Sequence, residues 1–409
     1  MHLSHLSLTN FRNFARLDLD LPPRTVLILG GNAQGKTSIL EAIYFLASFA
    51  SFQTHTDRQL INFVEARNPL AVTRLVGDYQ RNGVKHRMEV RLVLEPTGTN
   101  GQRLRKEILL DGVKKQANDV IGHFNAVIFV PQMSQIIEGG PEERRGYLNL
   151  AISQAVPGYA GALSDYGQAL AQRNALLKAL GENGGDPHQL DVWDETLSRL
   201  GARIMSWRIA AVQQIERLAA RIHHELSHGR EILRIHYRPA YDPLPAPSGQ
   251  IGMKLTTEVD RTSISTEEIQ VGFLARLASL RAEEIARGMT VIGPHRDELR
   301  FLGNGIDLGE YGSRGQMRTT LLALKLAEVS WMKERTGEWP VTLLDEVMAE
   351  LDVQRRQDLL RYVQEGEQVM LTATDAGMFA SEFRENAEIW NVAEGAVQRG
   401  ISPATQRAA

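Results

Sequence analysis

Nine residues, Gly30 to Ser38 (GGNAQGKTS), limit the fold of this chain more than any other stretch. The apolar run from Val26 to Leu29 before them is typical of a buried parallel strand. After them, apolar residues recur at helical spacing from Ile39 to Ala47. A strand, a loop matching G-x-x-x-x-G-K-[ST] and a helix, in that order, predict a phosphate-binding loop in an α/β domain. The alternative is a chance match in a glycine-rich turn, and both flanks argue against it.

The chemistry of such a loop assigns a role to each of its parts. Its backbone N–H groups point at phosphate oxygens, and the start of the following helix adds positive charge. Lys36 is placed to reach the outer phosphates, and the hydroxyl of Thr37 to bind Mg²⁺. The predicted nucleotide-binding residues are Gly30, Asn32, Ala33, Gln34, Gly35, Lys36, Thr37 and Ser38.

Composition bounds the remaining possibilities. The 409 residues exceed what one core usually holds, so we expect two or three domains. The absence of cysteine excludes disulfides, thiol catalysis and thiolate metal sites, and it fits a cytoplasmic protein. We expect no signal peptide and no membrane span, because no apolar stretch approaches eighteen residues. With a net charge of −3, any nucleic-acid surface must be a local patch.

The amino-terminal part of the chain is predicted to be rich in strands, and the middle part in helices. Alternating patterns predict strands at 3–8, 15–21, 71–79 and 86–94, a hairpin turn at Asp111-Gly112 and a buried strand at 126–130. From Pro131 to about Gly288 the pattern is mainly helical. The clearest helix there extends from Asp191, as its cap, to His228. It fits a coiled-coil arm or a member of a helical bundle, and we favour the bundle.

The α/β pattern returns at Thr290. We predict helices at 315–335 and 353–365, strands at 341–344 and 369–373 (the last strong strand), and a flexible tail from Arg399. The predicted organisation is therefore discontinuous. An α/β head comprises residues 1–130 and 290–398, a mainly helical domain of residues 131–289 is inserted into it, and residues 399–409 are flexible.

Two further stretches complete the expected chemistry. Leu343-Leu344-Asp345-Glu346 is a buried strand that ends in two acids. Asp345 would hold Mg²⁺ through water, and Glu346 would orient or deprotonate the attacking water. The alternative is an acidic cap on the next element.

The second stretch opens the helix at 315–335. Ser313, Gly315 and Gln316 form a second predicted anion site. One ATP does not need two phosphate sites, so the economical explanation is that this turn closes over the nucleotide of a second subunit. The alternative is a simple capped helix.

Taken together, these stretches resemble the ATP-binding-cassette heads of the SMC type, and within them the RecF family of DNA-repair proteins. The matching stretches are Leu8 to Phe14, Gly31 to Thr37, Leu40 to Tyr44, Gln172 to Lys178, Gly293 to Asp297, Ser313 to Thr319, Ala323 to Glu328, Leu344 to Glu346 and Glu350 to Asp352. The chain departs from these patterns at three positions. It has Glu346 where the RecF family often has aspartate, and Gln53 where we would expect arginine. Arg314 replaces the glycine of many cassette ATPases.

The resemblance implies more than the residues alone indicate. It implies a protein that binds ATP and Mg²⁺, dimerises on ATP, hydrolyses it slowly with stimulation by DNA, and acts at single-strand gaps with RecR and RecO to help load RecA. It implies a signature turn at Ser313, Gly315 and Gln316, a dimer-interface loop at Ala349 to Asp352, and a Mg²⁺-sensing glutamine. The candidate for that glutamine is Gln132, with Gln135 as a second candidate, and a plain surface polar residue is the alternative.

The sequence leaves the DNA contacts and two other functional classes open. The candidate DNA-binding residues are Arg103, Arg105, Lys106, Lys114 and Lys115, around the Asp111-Gly112 turn, with a solvated hairpin as the alternative. A transport-type or accessory ATPase without a DNA role is a second hypothesis. A DNA-binding scaffold with a vestigial ATP site is a third.

Overall fold

The computed structural model describes residues 1–97, 101–244 and 259–400. The tail predicted to be flexible from Arg399 therefore lies mostly outside the described residues, as does part of the cluster of turn-forming residues that the sequence has at 96–101. The chain divides into two compact units. Unit 1 comprises Met1–Met133 with Glu328–Ala409, and unit 2 comprises Ser134–Ala327. In the described part of the chain, no helix is both long and apolar enough to span a membrane.

The regular elements are numbered in chain order. The strands are β1 (His2–Phe11), β2 (Phe14–Asp20), β3 (Val26–Leu29), β4 (Ala71–Arg81), β5 (Val84–Thr97), β6 (Gly101–Leu110), β7 (Val113–Lys115), β8 (Ala126–Phe129), β9 (Leu233–Arg238), β10 (Glu298–Gly303), β11 (Ile306–Asp307), β12 (Val341–Asp345), β13 (Val369–Ala373), β14 (Glu388–Ala393) and β15 (Ala396–Arg399). The helices are α1 (Lys36–Ser48), α2 (Ala117–Val120), α3 (Gln135–Glu138), α4 (Pro141–Ala155), α5 (Tyr159–Asn183), α6 (Asp191–Leu226), α7 (Thr266–Arg287), α8 (Leu308–Tyr311), α9 (Arg314–Thr336), α10 (Val353–Val363) and α11 (Ser381–Asn386).

Unit 1 is built from two six-stranded sheets. One is antiparallel, in the order β2-β1-β4-β5-β6-β7, and the other has the order β15-β14-β3-β13-β12-β8. Helix α1 contacts strands of both sheets and is buried around most of its circumference. A helix in that position must be apolar on all sides, which explains the run from Ile39 to Ala47.

The second sheet positions the phosphate loop. Strands β3, β13, β12 and β8 are mutually parallel, and β13 lies between β3 and β12. Parallel strands end at the same edge of a sheet, and ligands bind at that edge in open α/β folds. The residues that follow Leu29 and those that end β12 therefore lie at one edge.

Unit 2 combines a helical bundle with a three-stranded sheet. Helices α5, α6 and α7 pack against one another, and the sheet has the order β11-β10-β9. The long helix is thus a bundle member, as favoured. The prediction that Asp191 caps it was wrong: Asp191 is its first residue, and Asp186 caps the 3₁₀ turn before it by accepting a hydrogen bond from the His188 N–H at 2.9 Å.

The predicted domain boundary and the predicted last strand both differ from the structure. The boundary predicted at residue 290 falls instead after Ala327, because β10 pairs with β9 in register and belongs with the inserted unit. Strand β13 was predicted to be the last strong strand, but β14 and β15 follow it and extend the parallel sheet. Arg399, where the flexible tail was predicted to begin, is the last residue of β15.

Candidate nucleotide-binding site

Two glycines allow the loop between β3 and α1 to fold tightly. A Cβ on Gly30 would lie 2.3 Å from the carbonyl oxygen of Val392, a distance that no side chain tolerates. Gly35 has φ +113°, and a Cβ there would lie 2.6 Å from Nδ2 of Asn13 and 2.8 Å from Cζ of Phe14. Both glycine positions of the motif are therefore required by sterics as well as by phosphate geometry.

The amine of Lys36 is held at the centre of this loop. Its Nζ donates to the carbonyl oxygens of Gly30 and Gly31 at 2.8 and 2.9 Å. It also lies 3.2 Å from Oε1 of Glu346, although the Lys36 side chain is only 3% exposed. The ammonium is therefore fixed by the curl of the loop and faces the acid that follows β12.

Two of the three residues predicted to interact with Mg²⁺, Thr37 and Asp345, are in direct contact. The hydroxyl of Thr37 donates to Oδ1 of Asp345 at 3.0 Å, and the hydroxyl of Thr372 donates to the same oxygen at 2.7 Å. Burial raises the pKa of the Asp345 carboxyl, although both hydroxyls and the Lys36 ammonium act in the opposite direction. The backbone N–H of Glu346 donates to the Thr372 hydroxyl at 3.0 Å. One threonine on β13 therefore orients both acids.

This oxygen-rich pair suits Mg²⁺, which favours carboxylate and hydroxyl ligands and keeps several waters. Among the described residues no group of three or more histidines or acids could hold a metal ion. A cation at Thr37 and Asp345 would therefore share its coordination with phosphate oxygens and water rather than with a cage of side chains.

An open cavity of about 520 Å³ lies over the loop. Its lining residues are Arg12, Asn13, Asn32, Ala33, Gln34, Gly35, Lys36, Thr37, Ser38, Gln53, Gln59, Ile61, Phe63 and Glu346. Six of these were not predicted as site residues: Arg12, Asn13, Gln53, Gln59, Ile61 and Phe63. They come from the β1–β2 turn and from the segment before β4, which are distant in sequence from the glycine loop.

Arg12 is the most informative of the missed residues. Its Nε and Nη2 donate to the two carboxylate oxygens of Glu41 at 2.7 and 2.6 Å, and the Glu41 side chain is fully buried in α1. Ser51 donates to the same carboxylate at 2.5 Å, and Gln53 accepts a weaker bond from Nη2 of Arg12 at 3.4 Å. The helix that follows the phosphate loop therefore fixes the guanidinium that lines the cavity.

The predicted second anion site lies in unit 2. Ser313 Oγ accepts from the backbone N–H of Gln316 at 3.2 Å, and Gln316 Oε1 accepts from the N–H of Ser313 at 3.0 Å. This reciprocal pair is a capping box, so Ser313 caps α9, as the alternative of a simple capped helix expects. Ser313, Arg314 and Gly315 are nevertheless exposed, which leaves the turn accessible to another molecule.

The remaining predicted residues occupy loops at the ends of strands. Gln132 is exposed in the 3₁₀ turn after β8, and among the described residues it is not one of those lining the cavity. Gln135 opens α3 in unit 2. In the loop predicted to face a partner, Asp352 caps α10 by accepting from the N–H of Arg355 at 2.9 Å.

The predicted DNA-binding cluster is largely neutralised by acids. Arg105 pairs with Glu95 at 2.9 Å and also with Glu107. Lys114 pairs with Glu107 at 2.9 Å, and Lys106 pairs with Asp57 at 2.7 Å. Arg103 and Lys115 are exposed on the same antiparallel sheet.

Two of the stretches that resemble the RecF family, Gln172 to Lys178 and Gly293 to Asp297, contribute buried residues with structural contacts. Arg173 is fully buried, and its guanidinium donates to Asp194 and Thr290 at 2.7 Å each. Asp297 accepts from Nη1 of Arg208 at 2.6 Å and from the N–H of Ala240 at 2.9 Å. These motifs tie α5, α6 and the segments flanking β9 and β10 together within unit 2.

The comparisons with known proteins decide the family. A family model described as "RecF/RecN/SMC N terminal domain" matches residues 2–398. The chain is 38% identical to the DNA replication and repair protein RecF of Chloroflexus aurantiacus, over 98% of this chain and 100% of that protein. The chain belongs to the RecF family. A RecF of Lacticaseibacillus paracasei is 34% identical, over 98% of this chain and all of that protein.

Solved structures agree with this assignment. The RecF-ATP structure of the RecFOR pathway superposes with a TM-score of 0.80 at 30% identity, covering 98% of both chains. The Smc head domain of Pyrococcus furiosus superposes with a TM-score of 0.53 at 17% identity, which shows a shared fold. The α/β, ABC-type head with its amino-terminal antiparallel strands and inserted, mainly helical domain is thus the fold of the family.

Proposed function

We propose that this chain binds ATP with Mg²⁺ at the β3–α1 loop and hydrolyses it. The observation that carries the proposal is the pair of contacts joining the loop to β12: Thr37 to Asp345 at 3.0 Å, and Lys36 to Glu346 at 3.2 Å. They bring together a phosphate-binding amine, two oxygen ligands for Mg²⁺ and an exposed carboxylate beside them. Bound Mg²⁺ would neutralise charge on the outer phosphates.

Each side chain then has one task. Thr37 and Asp345 hold the metal ion, and Lys36 binds the outer phosphates. Glu346 orients or deprotonates the attacking water, since its side chain is 41% exposed and points at the loop's amine. The base of the nucleotide would lie toward Ile61 and Phe63, which supply aliphatic and aromatic surface to the cavity wall.

The proposal includes a second copy of the chain. Ser313, Gly315 and Gln316 lie in an ordered, exposed turn at the start of α9, whose N–H groups suit an anion. We propose that this turn closes over the ATP held by another protomer, with Ala349 to Asp352 at the same interface and Gln132 sensing Mg²⁺. ATP would then act as the ligand that closes a dimer.

The biological setting follows from the relatives. They are DNA replication and repair proteins, and the solved RecF structures belong to the RecFOR pathway. We propose the same role here: DNA binding at single-strand gaps, slow DNA-stimulated ATP hydrolysis, and cooperation with RecR and RecO in loading RecA.

A single set of rate measurements tests this function. ATP hydrolysis is measured with and without gapped duplex DNA, for the wild-type chain and for Lys36→Met, across a range of protein concentrations. We expect DNA to raise the wild-type rate, the rate per subunit to rise with concentration, and the variant to be inactive. A wild-type rate indifferent to DNA would instead favour a transport-type ATPase. Unchanged DNA binding by Lys36→Met at saturating ATP would favour a scaffold.

A further inference from the structure

The outer face of α6 carries a row of arginines that the proposed nucleotide chemistry does not use. Arg199, Arg203, Arg217 and Arg221 are all exposed. With 3.6 residues per turn, Arg217 lies five turns beyond Arg199 at the same angle, and the other two lie about 40° from them. The four guanidinium groups therefore form one straight stripe, which we call the α6 arginine stripe, about 33 Å long.

This stripe is not compensated by acids in the way that the other basic residues are. In the described ranges 1–97, 101–244 and 259–400, none of its four arginines forms an ion pair, and Arg203 lies 4.9 Å over the ring of Trp207. Glu195 and Glu225 lie on the helix beyond the two ends of the stripe, and Asp260 accepts a hydrogen bond from Gln213 at 3.3 Å. In the antiparallel sheet of unit 1, by contrast, Arg74, Arg87, Arg105 and Lys114 each pair with a carboxylate.

The stripe works against the helix that bears it. Like charges four residues apart destabilise a helix, and the stripe contains two such pairs, Arg199 with Arg203 and Arg217 with Arg221. The opposite side of α6 is buried apolar surface, including Leu197, Ile215 and Leu226, so the stripe is held in a fixed orientation. A rigid row of cations without ion pairs, in a chain of net charge −3, forms a local basic patch that suits an anionic partner.

The residues between the two pairs favour a nucleic-acid backbone over a protein. Protein interfaces are anchored by buried aromatic or large apolar residues. Between its arginines the stripe presents Ser206, Ala210 and Gln213, which allow close approach, and the ring of the half-buried Trp207 is covered by Arg203. Its length matches about one turn of B-form DNA, and arginine recognises phosphates without reading sequence.

We propose that the α6 arginine stripe binds the phosphate backbone of DNA, and that it, rather than the basic cluster at β6 and β7, is a main electrostatic contact. This inference rests on the proposed DNA-binding function. It assigns that function to a defined surface of unit 2, in which contacts are made to backbone phosphates and carry no sequence preference.

The test is the salt dependence of binding to a fluorescently labelled duplex, followed by anisotropy with ATP present. The variant combines Arg199→Gln, Arg203→Gln, Arg217→Gln and Arg221→Gln. Removing one arginine–phosphate interaction reduces the slope of log affinity against log salt by about 0.9, so we expect a reduction of up to about 3.6. A matched lysine variant should keep most of the wild-type slope, which separates charge from folding.

The control removes four ion-paired cations of the antiparallel sheet: Arg74→Gln, Arg87→Gln, Arg105→Gln and Lys114→Gln. It changes net charge equally, and we expect its slope to stay within about one of wild type. Wild-type DNA binding with an unchanged slope in the stripe variant would overturn this surface alone, as would an equal reduction in the control. No duplex binding by the wild-type chain would overturn the proposed function together with the surface.

Discussion

The ion pair between Arg12 and Glu41 should couple the stability of unit 1 to its nucleotide site. Glu41 is fully buried and accepts two charge-assisted hydrogen bonds from Arg12, whose side chain is 19% exposed toward the cavity. Breaking a buried pair by removing one partner costs about 3–5 kcal/mol. Because Arg12 is partly solvated, we expect Glu41→Gln to cost about 3 kcal/mol.

The coupling between the two residues is the sharper quantity. Arg12→Ala leaves the Glu41 carboxylate buried without a cation, whereas the double variant removes both charges. The double variant should therefore lose less stability than the sum of the singles, by about 2 kcal/mol. Urea unfolding followed by tryptophan fluorescence measures this, since Trp331, Trp339 and Trp390 all lie in unit 1.

A matched pair on the surface provides the control. Arg87 donates to Asp78 at 2.6 and 2.8 Å with the same two-bond geometry, but its side chain is 57% exposed. Exposed pairs contribute less than about 1 kcal/mol, so their coupling should be small. Glu41→Gln should also weaken ATP binding, although Glu41 does not line the cavity. Additive effects of Arg12→Ala and Glu41→Gln, within about 0.5 kcal/mol, would refute this reasoning.

Three further predictions concern single residues. Burial raises the pKa of Asp345, so the folded state keeps the Asp345 proton to higher pH than the unfolded state and loses stability as pH rises through that range. At pH 8 Asp345→Asn should therefore have a higher melting temperature than wild type, and this difference should shrink toward pH 4. The variant should no longer be stabilised by Mg²⁺-ATP. Burial lowers the pKa of His295 from 6.5 to about 4, so the free energy of unfolding should fall by up to about 3 kcal/mol as pH falls from 6.5 to 4. Urea unfolding at several pH values measures this, and His295→Gln should remove the pH dependence. Phe63→Ala should weaken ATP binding about tenfold in equilibrium titration, whereas Phe63→Trp and the neighbouring Val64→Ala should not.

Local pattern was sufficient for the parts of the site that lie within one stretch of sequence. The strand, loop and helix around Lys36 follow from glycine positions and apolar spacing. The acids at 345 and 346 follow from an apolar strand ending in charge. Their meeting at one sheet edge needed only the rule that parallel strands end together, and the contact between Thr37 and Asp345 at 3.0 Å agrees with it.

Pairings that no local pattern encodes were missed. Arg12 lies in the turn between β1 and β2 and reaches the cavity because Glu41 on α1 holds its guanidinium, and nothing in the spacing of the two residues indicates this. Strand β14 was overlooked although Ile389 to Ala393 alternates and Glu394-Gly395 forms a tight turn with φ +49° and +73°. The acids that pair with the basic cluster around the Asp111 turn come from β5, from β6 itself and from the segment before β4, so no local pattern indicated these pairs.

The claim that ATP closes two copies over shared sites is tested most directly by molar mass in solution. Light scattering is recorded for Glu346→Gln, which should bind ATP without hydrolysing it, with and without Mg²⁺-ATP. A second chain carries Ser313→Arg in addition. We predict a monomer without nucleotide, a dimer of Glu346→Gln with Mg²⁺-ATP, and a nucleotide-bound monomer for the double variant. A monomer of Glu346→Gln at saturating Mg²⁺-ATP would contradict the account.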